Sequence, residues 1–345
     1  MYDIVKEFVT TFENDNLLSE DAYTIIENIS SERSVHSAKK GDDSYLLMVK
    51  LLLERREIVY ALSKADLHEN NKKIEYDFGE IERSQYNINI KVDVIKVWNY
   101  DGVSAASGAR DSYLFDFVYE DNRWKIDKVS GLNKIICDNR IINLSDEISS
   151  EDMNLYLDDF YYEDLDEQNE SHSDVSDDMS GYDRAYSLSQ TALYAYHYAL
   201  SRNSSYADFT NNGGDCTNFI SQAIKYGGLN MHYGTPLTNT CWYYTTSTDR
   251  SSSWTSANLF RQYIFGNNSH INATNATWSN IKVGELIQKM SNGSATHSMI
   301  VTGQVVSGNT RTDLLVSAHT TDRRNASLAM YYSGTKKYTH IKGNK

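Results

Sequence analysis

Apolar and polar positions change their period along the chain, and this change separates predicted helices from predicted strands. Residues 4–12 place apolar side chains at spacings of three and four, and residues 44–60 repeat this pattern, which predicts two helices. Residues 86–94 instead alternate apolar with polar positions, the period of a half-buried strand. A second alternating run, 113–119, is followed by a polar turn and Trp124, which predicts a β-hairpin.

Helices followed by long antiparallel strands are therefore expected in the first half of the chain. The last of these strands carries Trp124 and Ile126 two positions apart. Over roughly residues 1–135 this order resembles the cystatin-like cone fold of nuclear-transport-factor-2-like domains. The pattern predicts an N-terminal α+β accessory domain over residues 1–144, with helices and an antiparallel sheet.

An acidic segment follows this domain. Between Ser145 and Ser180 the sequence has fourteen Asp and Glu and no Lys or Arg, which equals the whole formal net charge of −14. Like charges repel and extend a chain, so residues 145–180 are predicted to be a linker, although an aromatic cluster at 156–162 could dock on a domain. Since the remaining chain is nearly neutral, it offers no basic surface and no nucleic-acid partner is expected.

Targeting and redox signals are sparse. No apolar run approaches the length of a membrane span, and the longest, over 46–53, is interrupted by Lys50. The first residues lack the pattern of a signal peptide, so two interpretations stay open: a protein that remains inside the cell, or a leader missing from this sequence. Three cysteines, at 137, 216 and 241, are too few for a disulfide scaffold.

The second predicted domain, residues 181–345, carries the chemistry. Asp215 is a favourable N-cap residue after a Gly-Gly turn, Cys216 falls at the first helical position, and the glycines at 227–228 end the helix. The helix dipole favours a thiolate at Cys216, whereas the carboxylate of Asp215 disfavours one unless capping occupies it. Cys216 is therefore a candidate nucleophile, and the alternative is an ordinary buried cysteine.

Two histidines lie at the ends of neighbouring predicted strands. His297 begins one apolar strand and His319 ends the next, with a turn signal at 307–309 between them. If the turn centres on Gly308, the two histidines lie directly opposite each other, with Cβ atoms about 4.5–5.5 Å apart. This register predicts a triad in which Cys216 attacks, His297 is the base and His319 orients the base. A one-residue shift would break the pairing, and the alternative is that both histidines are hydrogen-bonded strand ends.

Short motifs spread over residues 182–340 support this interpretation. They are Tyr182-Asp183-Arg184, Gly213-Gly214-Asp215-Cys216-Thr217-Asn218-Phe219 followed by Ser221-Gln222, Ser253-Trp254, Val283-Gly284-Glu285-Leu286-Ile287, and His297-Ser298. This set resembles the bacterial putative amidase domain, a family related to the NlpC-like and cysteine–histidine-dependent amidohydrolase/peptidase (CHAP) families of the papain-like superfamily. Glu285 departs from that pattern, because Asp is usual there.

The resemblance implies a papain-like fold, with a central helix carrying the nucleophile on an antiparallel sheet carrying the base. In NlpC-like relatives a third polar residue, often His, follows on the next strand, and this position maps to His319. The resemblance also implies a bacterial source, export to the cell surface or secretion, and a peptide or peptidoglycan substrate. The accessory domain is then expected to bind the cell wall or a partner protein.

Further side chains have weaker assignments around Cys216. Its backbone N–H is the expected first oxyanion donor, and Asn212 is the candidate second donor unless it only makes the turn. Tyr206 lies ten residues before Cys216, about where NlpC-like enzymes place a tyrosine near the thiolate, although it fits a core position equally. Asp215 is a further auxiliary residue. Cys241 lies next to three aromatic residues and is expected to be packed or groove-lining, and the alternative is a second reactive thiol. The substrate-groove candidates are Trp242, Trp254, Asp322 and Asn325. Asn325 is also the alternative third member of the triad if His319 proves misplaced. For Asp322 and Asn325 the alternative is a position in a solvated loop.

The motif set contains no metal-binding or phosphate-binding signature, so neither a metal nor a cofactor is expected. The sequence predicts a cysteine-dependent amidohydrolase or peptidase that forms an acyl-enzyme and cleaves a peptidoglycan stem peptide or crossbridge. Two alternatives stay open: a non-catalytic peptide- or glycan-binding module on the same fold, and a transamidase that transfers the acyl group to an amine.

Overall fold

Helices and antiparallel strands occur in both halves of the chain in the structure, a computed structural model. It describes residues 1–41, 45–62, 67–84, 87–132, 186–307, 310–332 and 334–345. The chain divides into two units, Met1–Tyr162 with Ala329–Ser333 and Glu163–Leu328 with Gly334–Lys345. Each unit combines helices with strands, which confirms the predicted α+β class. The predicted linker at 145–180 lies outside the described residues and stays a prediction.

The first unit contains helices followed by a meander of antiparallel strands. The helices are α1 (Tyr2–Phe12), α2 (Ser19–Asn28), α3 (Glu32–Lys40) and α4 (Tyr45–Leu62). The strands are β1 (Asn70–Arg83), β2 (Asn87–Asn99), β3 (Ser107–Glu120) and β4 (Arg123–Ser130), and each pairs with the next. This order agrees with the predicted one, while the resemblance to a cone fold stays a prediction.

The core of the first unit follows the predicted periodicities. The buried face of α1 is made by Val5, Phe8, Val9 and Phe12. Alternate residues of β2 are buried on the same core, namely Ile88, Ile90, Val92 and Val94. The predicted hairpin closes with Glu120 opposite Arg123, and Asp121 and Asn122 between them have φ of 48° and 62°. Two consecutive positive φ angles are typical of a tight hairpin turn.

One buried cation in the first unit was not foreseen. Lys96 on β2 is 1% exposed, and its Nζ lies 2.7 Å from Glu13 Oε1 and 2.9 Å from Asp111 Oδ2. Its position in β2 fits the alternation of a strand, but the alternation carries no information about charged partners on other elements. A buried charge is tolerated only when it is paired, so the two carboxylates explain why a lysine occupies this site.

The second unit places helices against a mixed-order antiparallel sheet. Its helices are α5 (Leu188–Tyr198), α6 (Cys216–Tyr226), α7 (Ser252–Thr255) and α8 (Ala257–Phe265). Its strands are β5 (Ile271–Ala276), β6 (Leu286–Ser291), β7 (Ser294–Ser307), β8 (Thr310–Ala318), β9 (Asp322–Ser327) and β10 (Lys336–Asn344). The order across the sheet is β9-β8-β7-β6-β10-β5. The short helix α9 (Leu328–Tyr331) follows β9 in the chain, and its residues from Ala329 onward belong to the first unit.

Helix α6 is the most deeply buried helix that this unit shows in its described part. Every residue from Cys216 to Ile224 is buried. Phe219 and Ile220 pack in one cluster with Leu286 of β6 and Ile300 of β7, which places α6 against the middle of the sheet. The sheet therefore presents β7 directly to the N-terminal half of α6.

The register between β7 and β8 differs from the predicted one. A turn centred on Gly308 would place Val301 opposite Leu315, whereas Val301 pairs with Val316 and Ile300 pairs with Ser317. The prediction was wrong because Ser307 pairs with Thr310, and because irregularities between Val301 and Gly303 and between Val305 and Val306 interrupt the ladder. A shift of one residue moves side chains to the other face of a strand, so His297 and His319 are not opposed.

Candidate functional site

The loop before α6 makes a left-handed turn that brings Asp215 and Cys216 against Thr320. Gly213 and Gly214 have φ of 92° and 101°, a region that glycine enters without steric penalty. A Cβ at Gly214 would lie 3.0 Å from Thr320 Oγ1, so the second glycine also leaves room for this hydroxyl. Asp215 occupies the N-cap position as predicted, but its carboxylate makes no capping hydrogen bond.

The carboxylate of Asp215 is instead satisfied by groups from three other directions. Phe209 N–H donates to Oδ1 at 2.9 Å, and Asn218 Nδ2 donates to the same oxygen at 2.8 Å. The second oxygen, Oδ2, lies 2.6 Å from His319 Nδ1. Since both Asp215 and His319 are almost fully buried, the pair is a short polar link in the interior.

Both ring nitrogens of His319 have partners. Nε2 lies 2.8 Å from the carbonyl oxygen of Tyr198, which can only accept, so Nε2 carries a proton. Nδ1 lies 2.6 Å from Asp215 Oδ2 on the other side of the ring. The ring of Phe219 stacks on the imidazole with centroids 4.0 Å apart. His319 therefore ties the end of β8 to α5 and α6, and the expected hydrogen bond between His319 and His297 is not formed.

The sulfur of Cys216 lies at the edge of β7. The backbone N–H of Ser298, the group that joins Ser298 to His297, lies close enough to the sulfur to oppose the rise in the pKa of the thiol. Backbone N–H groups of a strand point toward the neighbouring strand, not out of a face, so the sulfur lies close to the plane of the sheet. Among the described residues, the β7–β8 pairing ends at Ile300 with Ser317, which leaves this edge open to the sulfur.

Burial dominates the ionisation of Cys216. The residue is 8% exposed, and desolvation raises the pKa of its thiol. Hydrogen bonds from Thr217, whose Oγ1 lies 3.7 Å from the sulfur, and from the Ser298 backbone oppose this rise, while the charge of Asp215 adds to it. The helix dipole alone favours a thiolate, but the pKa of the thiol is raised overall because burial disfavours the charged form.

His297 is the other buried titratable group beside this edge. It pairs with Lys289 of β6, and burial followed by the Lys289 charge lowers the pKa of its imidazole to about 3. Ser298 Oγ lies 3.1 Å from Thr217 Oγ1, so Ser298 faces α6 and the neighbouring His297 side chain leaves the opposite face. The imidazole is thus neutral at pH 7 and lies one residue from the group that contacts the sulfur.

Thr320 is a site residue that the sequence patterns did not single out. Its Oγ1 accepts hydrogen bonds from the N–H groups of Asp215 at 2.9 Å and Cys216 at 3.2 Å. Its φ of 85° is uncommon for a β-branched residue. The expected oxyanion donor, the Cys216 N–H, is therefore occupied by a hydroxyl in the free protein. No local periodicity marks this residue, because it follows the end of β8 in a turn.

The auxiliary candidates take different positions. Asn212 is exposed in the turn, where its backbone N–H donates to Phe209 O at 2.8 Å. Tyr206 is half-buried and stacks on Trp254, with ring centroids 6.0 Å apart. Trp254 and Trp242 are both 0% exposed, so these indoles belong to the core around α6 rather than to an open groove. Cys241 is also buried.

Asp322 and Asn325, the groove candidates beyond His319, are buried as well. Arg202 Nη1 donates to Asp322 Oδ2 at 2.9 Å, and its Nε lies 3.7 Å from Asp215 Oδ2, so one guanidinium links the two carboxylates. Asn325 N–H donates to Ser317 Oγ at 3.0 Å. These contacts make Asp322 part of the network around Asp215 and place Asn325 beside β8. In the described ranges, no three His, Cys, Asp or Glu side chains cluster as a metal ion would require.

Comparison with known proteins gives a family-level indication. Residues 182–341 match the family described as a putative amidase domain, which suggests amide hydrolysis. Over 167 residues the chain is 28% identical to YjcM, an uncharacterised protein of Bacillus subtilis (strain 168). That alignment covers 45% of this chain and 36% of the relative's length. No solved structure matches the chain. In the part of the chain that the structure describes, no helix combines the length and apolar character needed to cross a membrane.

Proposed function

We propose that the second unit hydrolyses an amide bond in a papain-like site, with Cys216 as nucleophile and His297 as base. The observation that carries the proposal is the contact between the Cys216 sulfur, at the N-terminus of a buried helix, and the backbone N–H of Ser298. That contact brings the sulfur to the residue adjoining His297, whose neutral imidazole can accept a proton. The family match over 182–341 supports an amide as the bond that is cleaved.

The reaction starts from a thiol, because burial raises the pKa of Cys216. The thiol proton passes to His297 as the sulfur attacks the amide carbon, and the carbonyl oxygen becomes an oxyanion held by the Cys216 N–H. The substrate oxygen displaces the Thr320 hydroxyl from that N–H. His297 then protonates the amine as the C–N bond breaks, leaving a thioester. Water gives a proton to His297 while attacking the thioester, and this proton returns to the departing sulfur.

His319 acts in this proposal as a positioning residue. Its bonds to Asp215 and Tyr198 hold the residue before Cys216 against the end of β8. His297→Ala should therefore remove nearly as much activity as loss of the thiol, while His319→Gln should reduce kcat less and leave KM nearly unchanged. A larger loss from His319→Gln than from His297→Ala would exchange the two roles.

The substrate class follows from the resemblance of the motifs. We take it to be a peptidoglycan stem peptide or crossbridge, acted on outside the cell. The acidic segment at 145–180 would then be a linker between an accessory domain at 1–144, which binds cell wall or a partner protein, and the hydrolase domain at 181–345. Limited proteolysis that spared residues 145–180 would contradict this division.

Purified cell wall incubated with the protein, followed by mass spectrometry of released peptides, tests the reaction and names the bond. Cys216→Ala should reduce release to below about 1% of wild type, since losing a nucleophile usually removes several orders of magnitude of rate. Cys241→Ala is the matched control, because Cys241 is equally a buried free thiol and its sulfur contacts Thr235 O at 3.4 Å. Equal release by both variants would exclude Cys216 as the nucleophile.

A non-catalytic binding module is the second candidate, and one observation favours it. The free protein holds a protonated thiol beside a weakly basic imidazole, since the pKa of Cys216 is raised and that of His297 is lowered to about 3. Such a module would bind cell-wall peptide without releasing product in the same incubation. Product that appears only when an amine is added, and that carries this amine, would instead indicate a transamidase.

A further inference from the structure

A cleft lies beside α8, separate from the Cys216 contacts. It has a volume of about 490 Å³ and is lined by residues of α8, of β5 and of the β6–β7 turn. The α8 residues are Asn258, Arg261, Gln262 and Phe265. Their spacing of three and four places them on one face of the helix, while Phe260 and Ile264 point into the core.

Arg261 brings a positive charge into this cleft without a counter-charge. In the described part of the chain no carboxylate lies within ion-pair distance of its guanidinium, and its buried Nη1 has no hydrogen-bond partner. The guanidinium lies over the ring of Phe265, 4.9 Å from the centroid. The sequence has 47 acidic against 33 basic residues, so an unpaired arginine is not explained by a shortage of carboxylates.

The other polar groups of the cleft add hydrogen-bond donors. Asn258 Oδ1 already accepts from Ala295 N–H at 3.3 Å, and Gln262 Oε1 accepts from Asn239 Nδ2 at 3.1 Å. Their amide NH₂ groups are thus left to donate, beside the guanidinium. A site with a partly desolvated cation and two amide donors, and with no acidic side chain in its lining, is chemically complementary to an anion.

The cleft lies along β7 from the sulfur. Asn258, in the lining of the cleft, accepts a hydrogen bond from the N–H of Ala295, which precedes Ser298 by three residues. Three residues of a β-strand span about 10 Å, so the cleft begins about that far from the Ser298 N–H. This separation is about three residues of an extended peptide. Asn258 lies on the helix-covered side of the sheet, since the carbonyl of the adjacent Ala257 accepts from Gln288, which also donates to Ser298 Oγ.

We propose that this cleft binds a carboxylate group of the peptide substrate, with Arg261 as the cation that recognises it. The assignment of the ligand as a peptide rests on the proposed function, whereas the anion site itself does not. The planar guanidinium matches a carboxylate through two parallel hydrogen bonds. A carboxylate about three residues from the scissile amide would then be preferred over an uncharged group at the same position.

Binding is measured by NMR titration of the full-length Cys216→Ala protein, so that no turnover is needed. The probes are N-acetyl-Ala-Ala with a free carboxylate, the same peptide as its C-terminal amide, and inorganic phosphate. The carboxylate form should bind at least about tenfold more tightly than the amide, a ratio that corresponds to the energy of a typical charged hydrogen bond. It should also shift the Arg261 Nε–H resonance. Arg261→Met should abolish this preference.

The matched control is Arg324→Met. Arg324 is also half-buried and lies 5.3 Å over an aromatic ring, that of Tyr196, but it does not line the cleft. It should leave the preference for the carboxylate form unchanged. Equal affinities for carboxylate and amide, or an undiminished preference in Arg261→Met, would overturn the anion site, and tighter binding of phosphate would overturn the carboxylate assignment. Failure of cell-wall hydrolysis by wild type would remove the proposed function but would leave this binding result standing.

Discussion

His319 Nδ1 lies 2.6 Å from Asp215 Oδ2, and this contact connects the end of β8 to the residue before Cys216. The partners are separated by 104 residues in sequence, and each is 1% exposed at its side chain. A charge-assisted hydrogen bond in such an interior is strong, and loss of one partner leaves the other without its match. The position of Cys216 therefore depends on a link that lies outside α6 itself.

Asp215→Asn should destabilise the second unit by about 3 kcal/mol, because the buried groups that the carboxylate accepts from lose a full hydrogen-bond partner. The measurement is urea unfolding at pH 7. Asp208→Asn is the control, since Asp208 is another carboxylate near Arg202, at 3.3 Å from its Nε, but its side chain is 47% exposed. That variant should change stability by less than about 1 kcal/mol. Similar small effects from both variants would show that the Asp215–His319 pair does not stabilise the fold.

His297 should make the protein sensitive to mild acid. The unfolded chain protonates this imidazole near the ordinary pKa of 6.5, whereas in the folded protein burial lowers the pKa to about 3. As pH falls below 6.5, the unfolded state gains a proton that the folded state does not, so stability present above 6.5 is lost progressively toward pH 3. His297 alone should account for a loss of about 2 kcal/mol between pH 7.5 and pH 5.0.

The test compares urea unfolding at these two pH values for His297→Gln and for His197→Gln. His197 is exposed on α5 and serves as the control. His297→Gln should reduce the pH dependence by about the stated amount, and His197→Gln should not. An unchanged dependence in His297→Gln would mean that the imidazole is not buried in its neutral form.

Alkylation of Cys216 by iodoacetamide should require alkaline conditions in the free protein. Burial raises the pKa of this thiol above its ordinary value of 9.0, and only the thiolate reacts. A variant with Cys137→Ala and Cys241→Ala isolates the thiol, and its labelling rate is followed against pH. The half-maximal rate should lie above pH 9.0, and the same protein in concentrated urea should return to the ordinary profile. Rapid labelling near pH 6 would show a preformed thiolate.

Thr320 should protect the start of α6 through its hydroxyl. Thr320→Val replaces the acceptor of the Asp215 and Cys216 N–H groups with a methyl group, which should lower stability by about 1–3 kcal/mol. Hydrogen exchange at these two amides should accelerate in Thr320→Val and remain slow in Thr320→Ser, which keeps the oxygen. Equal protection in both variants would show that the hydroxyl does not hold the helix start.

The helices and strands follow from local sequence patterns. The spacing in 4–12 and the alternation in 86–94 identify α1 and β2, because a buried face imposes the period of its backbone. The Gly-Gly turn before Asp215 likewise marked the start of α6, with Cys216 as its first residue. These features are local, and neighbouring residues are sufficient to specify them.

How the elements meet around Cys216 depends on contacts between residues that are distant in sequence. The pairing of Ser307 with Thr310 and two irregularities along the ladder shift the register at Ile300 by one position, and an alternation with period two cannot distinguish these registers. The partner of His319 is consequently Asp215 rather than His297. The raised pKa of the Cys216 thiol also arises from residues distant in sequence, because desolvation depends on all the groups around the sulfur and not only on the helix that carries it.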